Sequence, residues 1–227
     1  MDHRASCEAD VLRGRIHVRA QGSAGVGQRG FSVSLKYRTI LADPPWPMKR
    51  IGSYLRARHV RPATLVYPTM TIADIKAIPV GDMAETGAHC WLWVVNQLLR
   101  EGFEVMESWG FKYHTVITWA KGSGMGNYFI NHTEHILFGY KDRCEFNKAR
   151  YIPNIYYWPK ACRPNSHSRK PAGSYELIES VSDKPRLELF ARPITPMFPK
   201  IDGWHVFGNE VESDVKLTTE LAESCAE

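Results

Sequence analysis

Thr39-Ile40-Leu41-Ala42-Asp43-Pro44-Pro45-Trp46 runs from a β-forming, mostly apolar tetrad into an acid, two prolines and an indole. Thr39 and Ile40 branch at Cβ and favour extended backbone. Pro44 and Pro45 lack an N–H and have φ fixed, so no ladder continues through them. A strand therefore ends at Asp43 and hands the chain to a stiff turn. Outward from this point, short apolar runs alternate with stretches of helical period. Strands are expected at 39–42, 90–95, 115–119, 135–140, 186–190 and 205–207, and helices at 72–78, 97–109 and 174–181. Thr71 is placed to cap the first helix. Trp91-Leu92-Trp93-Val94 is apolar throughout rather than alternating, as in an interior strand covered on both faces. The pattern is that of an α/β domain with a mostly parallel central sheet flanked by helices, whose ligands gather where the strands end.

The 227 residues, 44% hydrophobic and 23% charged, suit one such globular domain. Residues 1–34, rich in Arg, Gly and Ser, read as a flexible basic tail; 35–212 as the folded domain; and 213–227 as an acidic tail. The longest apolar run, around 89–95, is too short to cross a bilayer, and the first residues hold no apolar signal core. A cytoplasmic protein is expected, with no membrane partner. Cys7, Cys90, Cys144, Cys162 and Cys225 form no Cys-x-x-Cys pair, which argues against a disulfide framework or a zinc ribbon. His132 and His135 stand at loose distances from Cys144 and Cys162, so no metal is expected.

Net charge is +5, which permits a polyanionic partner. Its distribution says more. Lys49, Arg50, Arg56, Arg58 and Arg61 follow one another with no acid between them. A second basic stretch, from Lys141 to Lys170, is interleaved with Tyr151, Tyr156, Tyr157 and Trp158. Cations neutralise phosphates and aromatic faces receive unstacked bases, so both stretches suit a nucleic acid.

The turn after the first strand has a chemistry of its own. The amino group of a purine is a poor nucleophile, because its lone pair is delocalised into the ring. Two acceptors placed at its hydrogens draw electron density onto nitrogen and aim the lone pair. The Asp43 carboxylate and the Pro44 carbonyl are such a pair. Pro45 stiffens the turn, and Trp46 offers a face for an extruded base.

The sequence resembles the MT-A70 family of adenine-N6 methyltransferases, from about Tyr37 to about Val211. The blocks that carry the likeness are Asp43-Pro44-Pro45-Trp46, Tyr67-Pro68-Thr69-Met70, Trp91-Leu92-Trp93-Val94, Trp119-Ala120-Lys121 and Asn131-His132-Thr133-Glu134-His135. Lys170-Pro171 with Tyr175, Glu188-Leu189-Phe190-Ala191-Arg192 and Gly208-Asn209-Glu210 complete the set. The resemblance implies a single Rossmann-like class I methyltransferase domain with circularly permuted motif order. It also implies S-adenosyl-L-methionine as cofactor. Asp43, Pro44, Pro45 and Trp46 are then the catalytic motif. Lys170 matches the lysine that holds the cofactor's carboxylate, and Arg192, Asn209 and Glu210 match positions at its ribose, with Asp43 facing cofactor and substrate alike. Trp46, Tyr67, Lys121, Asn131, His132, Glu134, Lys49 and Arg50 are expected along the substrate. Pro193-Ile194-Thr195 departs from the polar contacts of the messenger-RNA enzyme.

The compact chain looks like the bacterial and phage members that modify DNA, so adenine in DNA is the favoured substrate, acted on by a monomer or homodimer. RNA methylation and a non-catalytic nucleic-acid-binding subunit are the alternatives; degenerate subunits lose the Asp-Pro-Pro-Trp tetrad or the lysine, and this chain keeps both. A small-molecule amine methyltransferase would have no use for the basic, aromatic-rich stretches.

Overall fold

The structure is a computed structural model that describes residues 35–48, 69–122, 124, 129–146, 151–160, 169–195 and 199–215. Tyr67 and the whole of the first basic stretch, Lys49, Arg50, Arg56, Arg58 and Arg61, lie outside the described residues.

Among the described residues, seven strands form one sheet in the order β5-β3-β4-β2-β1-β6-β7. They are β1 (Tyr37–Ala42), β2 (Ala84–Val94), β3 (Lys112–Ala120), β4 (Thr133–Tyr140), β5 (Ile155–Tyr156), β6 (Arg186–Leu189) and β7 (Trp204–Phe207). The helices are α1 (Ile72–Lys76), α2 (Val80–Met83), α3 (Leu99–Ser108) and α4 (Ala172–Val181). β4 runs antiparallel to both β2 and β3, while the pairs β1–β2, β1–β6, β6–β7 and β3–β5 are parallel. The sheet is thus mostly parallel, with β1, first in the chain, at its interior.

Alternation along the strands sorts the core into two layers. Ile40, Ala42, Cys90, Leu92 and Val94 face a cluster with Val105 and Met106 of α3. Leu41, Trp91 and Trp93 face the opposite cluster, with Leu177, Ile178 and Val181 of α4. Both layers are apolar, which explains the unbroken Trp91–Val94 run.

Every expected strand and helix forms, with shifted ends. α1 is capped by Thr71, whose Oγ1 accepts the Asp74 N–H at 3.1 Å. It stops at Lys76 rather than 78, because Pro79 cannot continue a helix. The expected helix 97–109 begins with a 3-10 turn, Asn96–Leu98, and becomes α-helical at Leu99. β2 starts at Ala84, well before residue 90, because Glu85-Thr86-Gly87 reads as a turn but is extended through a left-handed glycine, φ 79° at Gly87. Only glycine adopts that conformation without strain. α2 and β5 escaped the sequence because four and two residues carry no readable period. The domain also runs past the expected boundary at 212: Asp214 accepts the Val206 N–H at 2.7 Å and Val215 is buried. No helix among the described residues is long and apolar enough to cross a membrane.

Candidate active site

Register fixes which residues meet. Ala42 pairs with Leu92 on one side and Leu189 on the other, and Leu189 pairs with Phe207. The chain therefore leaves β1, β2, β6 and β7 at one common edge. Asp43, Asn96, Arg192 and the Gly208-Asn209-Glu210 turn all follow that edge. β4 is antiparallel, so its beginning lies there too, and Ala120 pairs with Thr133 to bring Lys121 beside Glu134.

The Asp-Pro-Pro-Trp turn is built from two tight loops, each centred on a proline. The Trp46 N–H reaches the Pro44 carbonyl at 2.8 Å, and the Met48 N–H reaches the Trp46 carbonyl at 2.8 Å. Such three-residue turns want a central φ near that which the pyrrolidine ring imposes, and Pro45 and Pro47 supply it. The Pro45 carbonyl accepts from Met70 at 2.9 Å, tying the turn to the segment before α1. The Pro44 carbonyl thus already holds one hydrogen bond and keeps one lone pair.

Trp46 is where the structure corrects the sequence reading. Its ring is 5% exposed and packs in the α3-side core, and its Nε1 donates to the Trp93 carbonyl at 2.9 Å. An indole in that position has no open face for a base; it anchors the turn. Its size and single N–H make burial with one carbonyl partner the favoured outcome.

Asp43 and Lys170, far apart in sequence, meet at 3.1 Å. Lys170 also contacts Glu134 Oε2 at 3.0 Å, and Glu134 Oε1 contacts Lys121 at 2.6 Å. Two carboxylates and two ammonium groups therefore alternate in one line, Asp43–Lys170–Glu134–Lys121. Lys170 is 12% exposed and its Nζ lies 4.9 Å from the centre of the Trp93 ring. Burial opposes its charge, but Asp43 and Glu134 outweigh that and raise its pKa. Burial likewise opposes the Glu134 carboxylate, yet Lys170 and Lys121 hold it below the usual range. For Asp43 burial wins, raising its pKa against the pull of Lys170 and Arg192.

Beside this line stands a pair that the sequence reading quoted without giving it a role. Tyr175 in α4 donates to Glu188 Oε1 at 2.9 Å. Burial is the main cause that pushes Glu188 up to about 7, Asp43 adds to it, and the Tyr175 hydrogen bond, Arg169 and Arg192 work the other way. The signal was available: Glu188 is the one acid in a buried strand, Arg186–Leu189. Asn96 was missed as well. Its Nδ2 donates to the Thr133 carbonyl at 2.9 Å and its Oδ1 lies 2.8 Å from His135 Nε2. It locks the start of β4 to the end of β2.

The remaining expected residues that the structure describes lie on the same edge. Asn131 is half-buried and His132 exposed, just before β4. Arg192 is half-buried, and Asn209 and Glu210 are exposed on the turn after β7. Ala191 N–H bonds the Phe207 carbonyl at 3.0 Å, which keeps the last two loops adjacent. A cavity of about 550 Å³ opens elsewhere, between α4 and the sheet, walled by Trp91, Phe138, Phe146, Tyr151 and Leu177. Among the described residues, none of the expected site residues lines it.

A seven-stranded sheet with one antiparallel strand, a carboxylate–proline turn at its interior strand and polar groups on flanking loops define the Rossmann-like methyltransferase architecture. The MT-A70 family pattern matches residues 37–210, and the chain belongs to that family. Among its relatives, the Arabidopsis thaliana N(6)-adenosine-methyltransferase MT-A70-like is 29% identical over 194 residues, covering 81% of this chain and 25% of the relative. The Homo sapiens N(6)-adenosine-methyltransferase catalytic subunit METTL3 is 27% identical, over 80% of this chain and 29% of its own length. The Mycoplasma sp. type II methyltransferase M.MunI is 24% identical, and there the match takes in 82% of both chains. The chain thus spans about a quarter of the adenosine methyltransferases it matches and most of the type II enzyme.

Proposed function

We propose that this protein is an S-adenosyl-L-methionine-dependent methyltransferase acting on the N6 amino group of adenine in DNA. The observation that carries the reading is the Asp43–Lys170 contact at 3.1 Å on the edge where the loops after β1, β6 and β7 begin. Lys170 takes Asp43 Oδ1 and fixes the carboxylate, and Oδ2 accepts one hydrogen of the amine. The remaining lone pair of the Pro44 carbonyl accepts the other. The nitrogen is thereby oriented and enriched in charge, the kind of preorganisation that lowers barriers without a covalent enzyme intermediate. The raised pKa of Asp43 suits it to take up the proton that nitrogen sheds.

The donor set fits the cofactor. An ammonium has three hydrogens; Asp43 and Glu134 occupy two on Lys170, which leaves one for the cofactor's carboxylate. Asn209 and Glu210 are suited to vicinal hydroxyls, and Arg192 lies on the adjacent loop, next to the Ala191 that bonds Phe207. When bound, the cofactor supplies a methyl group already activated on a sulfonium sulfur. Trp46 serves as the anchor of the turn, Glu134 and Lys121 as the supports of Lys170, and Asn131 and His132 as substrate contacts.

The preference for DNA rests on the likeness to the type II methyltransferase M.MunI, 24% identical, whose match runs along 82% of both chains. The test is transfer of a labelled methyl group to duplex DNA, single-stranded DNA and RNA in parallel, with the modified base identified by mass spectrometry. N6-methyladenine in DNA is expected. Label confined to RNA would overturn the choice of DNA, and label on another base would overturn the reading itself.

A further inference from the structure

The loop that joins β3 to β4 ends in a feature for which the catalytic edge has no use. Phe129 is 86% exposed and Ile130, next to it, is 62% exposed. Two adjacent large apolar side chains held in water call for an occupant. The foot of this loop is tightly built. Lys121 N–H bonds the His132 carbonyl at 2.6 Å, and Gly124 lies so close to the Asn131 carbonyl that no side chain fits there. Through Lys121, Glu134 and Lys170, at 2.6, 3.0 and 3.1 Å, that foot connects to Asp43. Phe129 and Ile130 therefore emerge on the same edge of the sheet as Asp43, at the far end of that line of ion pairs. Met48 and Ile194, on two other loops of the same edge, are 39% and 46% exposed and make its rim apolar.

Given the reading under "Proposed function", on which this rests, the target adenine in a duplex is paired and stacked, and its amine reaches Asp43 only after the base leaves the helix. The vacated gap is flat and apolar, and proteins that open base steps insert side chains of this kind. We infer that Phe129, backed by Ile130, is a wedge that enters the base stack at the target adenine and holds the gap open. The occupant is duplex nucleic acid, and Phe129 acts on the position of the base rather than on the methyl transfer.

The test compares wild type with Phe129→Ala and Phe129→Trp in methyl transfer to unmodified duplex DNA, to the same DNA heat-denatured, and to a duplex whose adenines face mismatched bases. Loss of one base-stacking contact corresponds to a fall of about tenfold on duplex DNA for the alanine variant. The denatured and mismatched substrates should recover most of that loss, and the tryptophan variant should stay near wild type. An equal loss on all three substrates, or none on any, overturns the wedge. So does a change in the oligomeric state of the free alanine variant, which would assign the tip to a contact with a second copy. Wild-type activity on single strands alone overturns the wedge and leaves adenine methylation standing; no adenine methylation on any substrate removes both.

Discussion

Asp43 and Lys170 are held by each other, and their removal has different consequences. Asp43→Asn keeps the size of the side chain and loses the charge that draws the amine's hydrogen. Transfer should fall by at least a hundredfold, in the range of a lost preorganised electrostatic contact. Calorimetric titration with S-adenosyl-L-methionine should still show binding, and undiminished turnover would remove Asp43 from the chemistry. Lys170→Met strips the counter-charge from two carboxylates that are 23% and 19% exposed. Breaking such a pair from one side costs roughly 3 kcal/mol. Denaturant unfolding without cofactor should show that loss, and Lys170→Met with Glu134→Gln should recover part of it. A lysine that served the cofactor alone would leave the apoprotein's stability unchanged.

At the scale of elements, the site depends on how closely α3 and β3 press on β4. A Cβ built on Gly139 would lie 2.6 Å from Met106 Sδ and 2.8 Å from the Lys112 carbonyl. The methionine can yield; the backbone of the neighbouring strand cannot without disturbing the ladder that carries Lys121 to Glu134. Gly139→Ala should therefore destabilise the protein by about 1–3 kcal/mol, as overpacking does. Thermal unfolding checks this, and an unchanged midpoint would mean that the sheet relaxes freely there. The turn after β1 is less vulnerable to small changes, because Pro45, Pro47 and the Trp46–Trp93 hydrogen bond at 2.9 Å constrain it independently.

For the whole molecule, Glu188 couples stability to pH. Its carboxyl is pushed up from 4.5 to about 7, chiefly by burial. The native state then holds a proton that the unfolded chain releases at lower pH. Stability from this group is full below about pH 4.5 and is lost as pH rises through about 7. The loss amounts to about 3 kcal/mol at full ionisation, at 1.36 kcal/mol per unit. Urea midpoints for wild type should decline between pH 5 and 8 relative to Glu188→Gln. A parallel course for the two proteins would show that Glu188 is ionised at little cost.

The sequence by itself determined the α/β class, the six longer strands, the three longer helices and the ends where chemistry concentrates. Hydrophobic runs, proline and caps act locally, so they are legible one segment at a time. It also supplied the family blocks, and with them Asp43, Lys170, Arg192, Asn209 and Glu210 as candidates. Only the tertiary structure decided that Lys170 stands between Asp43 and Glu134, because that contact joins three segments far apart in the chain. It alone decided that Trp46 is an anchor, since an indole serves core or surface equally well until its neighbours are known. Glu188 with Tyr175, and Asn96 with His135, were invisible as pairs for the same reason: which polar groups share a buried space is set by packing across the sheet, not by neighbours in sequence.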